Sequence, residues 1–185
     1  MNALRAKDDA ILDFLSVRIE GVRVTLTPIA QDAAEDVLRE FTAEVTRYML
    51  PKPVEDMVQV RGFIDASRAN MAAGDELVLT IRRRATGEFL GVCGLHNRAQ
   101  GDTPELGIWL KVDAHGARLG REAIELLVAW AKARLAFAYL IYPVDRANVA
   151  SRRIAESLGG VVIRKTRRES MSGYMLNEWV YRIDP

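Results

Sequence analysis

The stretch HGARLGREA (115–123) sets two glycines, Gly116 and Gly120, four residues apart, with Arg118 and Arg121 beside them. Glycine lets a backbone turn sharply and approach a ligand closely. At a helix start, unpaired N–H groups and the positive end of the helix dipole attract an anion. The chemistry offered is phosphate binding, and three readings compete for it. A P-loop needs a Lys-Ser/Thr ending that is absent here. A dinucleotide fingerprint needs G-x-G-x-x-G, and the spacing is G-x-x-x-G. In that reading's favour, Asp145 ends the next expected strand, near where a ribose-binding acid would sit. In the third reading the glycines merely close a tight strand-to-helix turn.

Other reactive residues are few. Two histidines, His96 and His115, and one cysteine, Cys93, have no paired spacing for a zinc site. Cys93 lies in the apolar run FLGVCGL and is expected to be a small core residue. Asn148 and Ser151 open a helical stretch, where both types cap well. Glu105 and Glu169 are isolated carboxylates.

The chain is long enough to hold these groups in one domain. It has 185 residues, with 26 Lys and Arg against 25 Asp and Glu, for a formal net charge of +1. That balance does not steer it toward nucleic acid or a membrane surface. The runs RRR (82–84) and RKTRR (164–168) fall on expected strands, where successive residues face opposite sides and need not form one patch. No apolar run reaches the length of a membrane span. Asp8, Asp9 and Asp13 stand where an export signal would be apolar, and a single thiol cannot form an internal disulfide. A cytoplasmic protein is expected.

Periodicity supplies the elements. Residues 3–16 are expected to form a short amphipathic helix, an extension (1–19) leading into a domain at 20–185. VRVTLTPI (22–29) alternates like a strand. Residues 31–48 have helical spacing, with Ala34, Val37, Leu38, Phe41 and Val45 on one face. A second helix covers 54–73 and ends at Gly74. ELVLTIRRR (76–84), FLGVCGLHN (89–97) and PELGIWLKV (104–112) form an antiparallel meander, with a polar loop at 98–103. A helix over 119–134, a buried strand at 136–144, a helix over 148–158 and strands at 161–167 and 177–183 follow. The chain is mixed α/β. Its strand–loop–helix–strand unit at 104–144 is expected to be a right-handed crossover with parallel strands.

The ordered set PELGIWLKVDAHGARLGREAIELLVAWA, a strand, then DRANVASRRIAESLGG resembles the GNAT acyltransferases, most of all the branch containing ribosomal-protein N-terminal acetyltransferases. The family loop Gln/Arg-x-x-Gly-x-Gly/Ala falls on His115, Gly116, Ala117, Arg118, Leu119 and Gly120. Asn-x-x-Ser and the Leu-Gly that closes its helix fall on Asn148, Ser151, Leu158 and Gly159. TRYMLPKP, TGEFLGVCGL and ELGIWL are similar to this branch too, so the likeness spans about residues 20–184. Three positions depart from the pattern: His115 replaces Gln or Arg, Arg118 replaces glycine, and Gly160 replaces an aromatic.

The resemblance implies a GNAT fold, a mostly antiparallel mixed sheet with a central parallel pair, flanked by helices. It implies acetyl-CoA, with the diphosphate on residues 115–121 and the pantetheine arm along Trp109, Leu110 and Val112. An acceptor amine, on a protein N-terminus or a small molecule, would attack the thioester directly, without metal. Glu105 and Glu169 are both candidates for the base. Ser151 would protonate the leaving thiolate, and Asn148 would cap its helix and touch the cofactor. Homodimers are common in the family. Two alternatives stand beside this reading: a catalytically silent CoA-binding sensor or partner module, and a nucleotide-binding oxidoreductase.

Overall fold

The computed structural model describes residues 4–7, 12–97 and 102–185. Residues 3 and 8–11 of the expected first helix and 98–101 of the expected polar loop lie outside that range. The strands are β1 (Arg5–Ala6), β2 (Ile19–Glu20), β3 (Val24–Pro28), β4 (Glu76–Arg83), β5 (Phe89–His96), β6 (Glu105–Leu110), β7 (Leu135–Ala136), β8 (Leu140–Asp145), β9 (Val161–Glu169) and β10 (Met175–Ile183). The helices are α1 (Ala34–Glu40), α2 (Ala43–Thr46), α3 (Met57–Ala73), α4 (Leu119–Arg134) and α5 (Val149–Ser157).

Eight strands form one sheet in the order β2-β3-β4-β5-β6-β8-β10-β9. Every neighbouring pair is antiparallel except β6 and β8. This is the mixed, mostly antiparallel sheet expected, with one parallel pair at the α4 crossover. Side chains on a strand alternate between faces, so β6 reports which helix covers which side. Trp109 meets Phe41 at the end of α1, whereas Ile108 and Leu110 approach Gly120 of α4. α1 and α3 therefore cover one face and α4 the other. Leu26, Ile64, Leu77, Leu79, Leu95, Leu106, Ile124 and Leu127 are fully buried between the layers. Each such side chain contributes roughly 1.5–3 kcal/mol of transfer free energy.

The long helices follow their sequence signals. Asp56 caps α3 by accepting from the Gln59 N–H at 2.8 Å, and Gly74 ends it at φ +81°. α4 buries Leu119, Ala123, Ile124, Leu127, Val128 and Ala131. Glu122 in its first turn and Lys132 and Arg134 in its last complement the dipole.

Three expectations need correction. The N-terminal segment is not one helix: Arg5–Ala6 is a strand pairing with Leu135–Ala136, and Phe14–Ser16 is a single 3-10 turn. The segment satisfies its backbone at distant partners, as in the Leu4 N–H to Gly74 oxygen bond of 2.7 Å, and buries Leu4 and Phe14 in the common core. The helix expected over 31–48 is a 3-10 turn at Gln31–Ala33, then α1 and α2, broken at Phe41 (φ −83°, ψ 66°). At that break the Phe41 ring packs on Trp109, 4.9 Å between centroids. The strand expected at 136–144 divides in two. Leu135–Ala136 pairs with β1, the Ala138 N–H turns to the Asp102 oxygen at 2.7 Å, and β8 begins at Leu140.

Candidate active site

The sheet is incomplete at its centre. β6 and β8 are in register only at Glu105 and Ile141, where the Ile141 N–H reaches the Pro104 oxygen at 2.9 Å. Beyond that point the strands diverge. β6 stays paired to β5 through residue 110, and β8 to β10 through residue 145, each on its outer edge. The inner edges of 106–110 and 142–145 face each other without a ladder. Such a wedge suits a narrow, extended ligand carrying amides of its own.

Where β6 ends, a 3-10 turn (Val112–Ala114) leads into the glycine loop. The His115 Nε2 donates to the Leu110 oxygen at 3.0 Å and ties the loop to the strand end. Gly116 has φ +79°. Arg118 has φ +59°, the only non-glycine residue with positive φ among those described. The backbone thus takes a left-handed turn at a position where the family pattern has glycine, at a cost of roughly 1–2 kcal/mol. Gly120 sits where Leu110, Ile108 and Ile154 converge; a Cβ there would stand 3.1 Å from Leu110 Cδ1. Its lack of a side chain lets α4 start close against β6.

A second layer holds the loop from behind. The Arg23 guanidinium donates to the Ala117 oxygen at 2.8 Å and the Arg118 oxygen at 3.4 Å. Its Nε pairs with Glu122 Oε2 at 2.7 Å, and its own N–H with Glu122 Oε1 at 2.7 Å. Partial burial alone would raise the Glu122 carboxyl, but the Arg23 bonds outweigh it and hold it below its ordinary value. With these carbonyls engaged, the N–H groups of 116–121 donate to no acceptor within the described residues. Six amides at the start of a 16-residue helix form a ready anion cradle.

A cavity of about 500 Å³ opens from the wedge toward the α1–α3 face. Its walls include Val37, Phe41, Tyr48, Phe63, Ile108 and Trp109. Its polar groups include His96, Glu105, Asn148, Ser151 and the Arg168–Glu178 pair, 2.8 Å apart. Arg168 Nε is buried without a partner. Cys93 is buried, and burial pushes its thiol up, so it stays protonated. Burial also pushes the Tyr142 hydroxyl up to about 12, partly offset by the Ser151 hydroxyl beside it.

The expected residues distribute as follows. Trp109 lines the cavity, Glu105 lines it from β6, and Asn148 and Ser151 line it from the start of α5. Asn148 caps α5 by accepting from the Ser151 N–H at 3.2 Å. Gly116, Ala117, Arg118 and Arg121 are exposed on the loop, and Arg121 is paired with Glu125 at 2.7 Å. Leu119 is buried in the core, so only its backbone is available to a ligand. Leu110 gives its oxygen to His115, and Val112 lies in the turn, past the end of β6. Glu169 is exposed at the end of β9, with Oε1 4.0 Å from a Cβ built on Gly173, and does not line the cavity. Asp145 gives both oxygens to backbone, accepting from the Ala147 and Asn177 N–H groups at 2.8 Å each, and so ties the end of β8 to β10. Periodicity passed over His96, because its partners lie on neighbouring strands and only register reveals them.

Known proteins fit this geometry. Residues 23–161 match the acetyltransferase (GNAT) domain family. No curated protein matches the chain. Among solved structures, RimJ of Mycobacterium smegmatis in complex with CoA-disulfide is 17% identical at a TM-score of 0.78, covering 92% of this chain and 88% of that one. An acetyl transferase of Salmonella typhimurium that modifies the N-terminal serine of ribosomal protein L7/L12 is 12% identical at 0.78, covering 91% and 99%. The microcin C7 self-immunity acetyltransferase MccE, in complex with acetyl-CoA and AMP, is 18% identical at 0.78, covering 89% and 94%. At such identities the likeness is one of fold. No described helix is long and apolar enough to cross a membrane.

Proposed function

The chain belongs to the acetyltransferase (GNAT) family, whose members use acetyl-CoA, and on that premise we propose that it transfers an acetyl group to an amine by direct attack on the thioester. The observation that carries the reading is the set of six amides at 116–121, without an acceptor among the described residues, at the end of β6 where the wedge opens. The amides of 116–121 would hold the diphosphate, and the inner edges of β6 and β8 would hold the pantetheine arm. The cofactor supplies the activated acetyl thioester. Asn148, Ser151 and Trp109, which line the same cavity, would hold the arm's reactive end.

The acceptor enters from the α1–α3 side. Its apolar walls fit a hydrophobic stem beside the amine, and Glu105 is the carboxylate available to hold an ammonium. Glu169, at the mouth with the 170–174 loop, is the poorer candidate. The Ser151 hydroxyl gives its proton to the leaving thiolate. The acetyltransferase domain spans residues 20–185, with 1–19 as an N-terminal extension of which Leu4 and Phe14 join the common core. A cytoplasmic setting accords with one buried, unpaired thiol.

Thiol release from acetyl-CoA, measured against small amines and against peptides with free N-termini, tests the reading. Acceptor-dependent release is expected. Calorimetry showing no acetyl-CoA binding at millimolar ligand would sink it. Binding without turnover for every acceptor would leave a CoA-binding module instead.

A further inference from the structure

Three strands place ionisable side chains in one row on the acceptor side of the sheet. Glu76 on β4 is the register partner of His96 on β5, and His96 is the register partner of Glu105 on β6. The His96 Nδ1 lies 2.8 Å from Glu76 Oε2, with side chains only 18% and 16% exposed. A carboxylate only accepts, so in the neutral ring Nδ1 carries the proton and Nε2 the lone pair. That nitrogen lies over bare sheet. Gly94 and Gly107 are themselves register partners, and a Cβ on either would stand 3.3 Å or 3.6 Å from Nε2. His96, Gly94, Gly107 and Glu105 all line the cavity. The row does not form a metal cluster among the described residues.

Resting on the acetyl-transfer reading above, we infer that His96, oriented by Glu76, is the general base that takes the proton from the acceptor amine. The arrangement follows the logic of a base held in one tautomer by a carboxylate. An ammonium drawn in by Glu105 gives one proton to Nε2. The freed nitrogen lone pair forms the N–C bond, and the C–S bond breaks with its electrons going to sulfur. The thiolate gains a proton from Ser151, balanced by the second proton lost from nitrogen, and the imidazolium returns its proton to solvent. Glu76 and Glu105 flank the ring in its charged state. The other charged groups on the cavity are Lys52, ahead of α3, Asp145, bound by backbone amides, and the Arg168–Glu178 pair.

Two measurements decide it. Histidine 15N NMR of the ligand-free protein needs no acceptor: neutral His96 is expected as the Nδ1–H tautomer, and Glu76→Gln is expected to lose that preference. A neutral His96 protonated at Nε2 overturns the inference. Kinetics with the fastest acceptor of the amine and peptide panel form the second arm. His96→Gln is expected to lower kcat about 100-fold, keep the KM for acetyl-CoA within about twofold, and remove the low-pH limb of kcat/KM. Glu105→Gln is expected to raise the amine KM and keep that limb. If Glu105→Gln removes the limb and His96→Gln does not, Glu105 is the base and the inference falls. If wild type releases no thiol with any acceptor, the acetyl-transfer reading fails by itself, and the NMR still decides the tautomer.

Discussion

Arg23 and Glu122 meet twice across 99 residues of sequence, once through the Arg23 N–H and once through its Nε, each at 2.7 Å. One side chain at the start of β3 thereby holds α4's first turn and, through two carbonyls, the loop ahead of it. Removing Arg23 leaves the Glu122 carboxylate, only 17% exposed, without its cation. Arg23→Ala is expected to cost about 1–2 kcal/mol of stability and to weaken acetyl-CoA binding more than kcat. Denaturant unfolding and calorimetry check both. An unchanged affinity would show that the brace does not shape the cradle.

The same pair sets an acid limit. Arg23, outweighing the partial burial, holds the folded Glu122 carboxyl below its ordinary value of 4.5. A depressed folded value means the stability from this pair is fully present above pH 4.5 and is lost as pH falls through the lower folded value. Wild type is therefore expected to lose stability on acidification over that window. Glu122→Gln should start less stable at neutral pH and lose less over it. Melting temperatures recorded between pH 3 and pH 7 give the comparison.

Arg118→Gly separates backbone strain from charge. Glycine relieves a left-handed cost of roughly 1–2 kcal/mol and adds unfolded-chain freedom of about 0.4–1 kcal/mol. The melting temperature is expected to hold or rise slightly. Acetyl-CoA affinity is expected to fall about twofold to fivefold, as for one exposed charge. Unchanged affinity would show that the guanidinium takes no part in binding.

Gly91 shows how tightly the strand behind the wedge is built. It has φ +157°, and a Cβ there would collide with the Trp109 carbonyl oxygen and stand 2.8 Å from Leu110 Cα. Both atoms are backbone and neither swings aside cheaply. Gly91→Ala is expected to cost about 2 kcal/mol or more and to raise the KM for acetyl-CoA by displacing the inner edge of β6. Chemical denaturation with steady-state kinetics reads both effects.

Asn148 and Ser151 stand three residues apart but should fail differently. Asn148→Ala loses the α5 cap and is expected to cost about 1 kcal/mol. Ser151→Ala keeps the N–H that the cap bonds to, so stability should hold while kcat falls about 100-fold. Equal kcat losses in the two variants would mean that Ser151 acts only through the helix it opens.

Sequence reached what local rules determine. α4 begins at Leu119 and ends at Arg134 as its apolar stripe required, and Gly74 stops α3 as a left-handed cap. The parallel pair followed from crossover handedness. Local rules failed where a distant partner decides. Phe41 breaks a helical run because Trp109 is there to receive its ring, and Arg5–Ala6 turns extended because Leu135–Ala136 offers an edge. The loop motif was visible, but the Arg23 brace behind it was not, since nothing near residue 23 points to residue 117. His96 was visible only as a possible metal ligand, and its partners were hidden for the same reason. A lone histidine acquires meaning only when register sets Glu76 on one side and Glu105 on the other.

The single β6–β8 register pair at Glu105 and Ile141 makes the sheet two half-sheets joined at one stitch. A bound extended ligand that donates to and accepts from both inner edges becomes the missing rung between them. Cofactor loading between those edges would then also be a folding event for the seam. The amides of 106–110 and 142–145 should exchange with solvent faster in the free protein than in the loaded one, and mechanical coupling between the halves should rise and fall with each turnover.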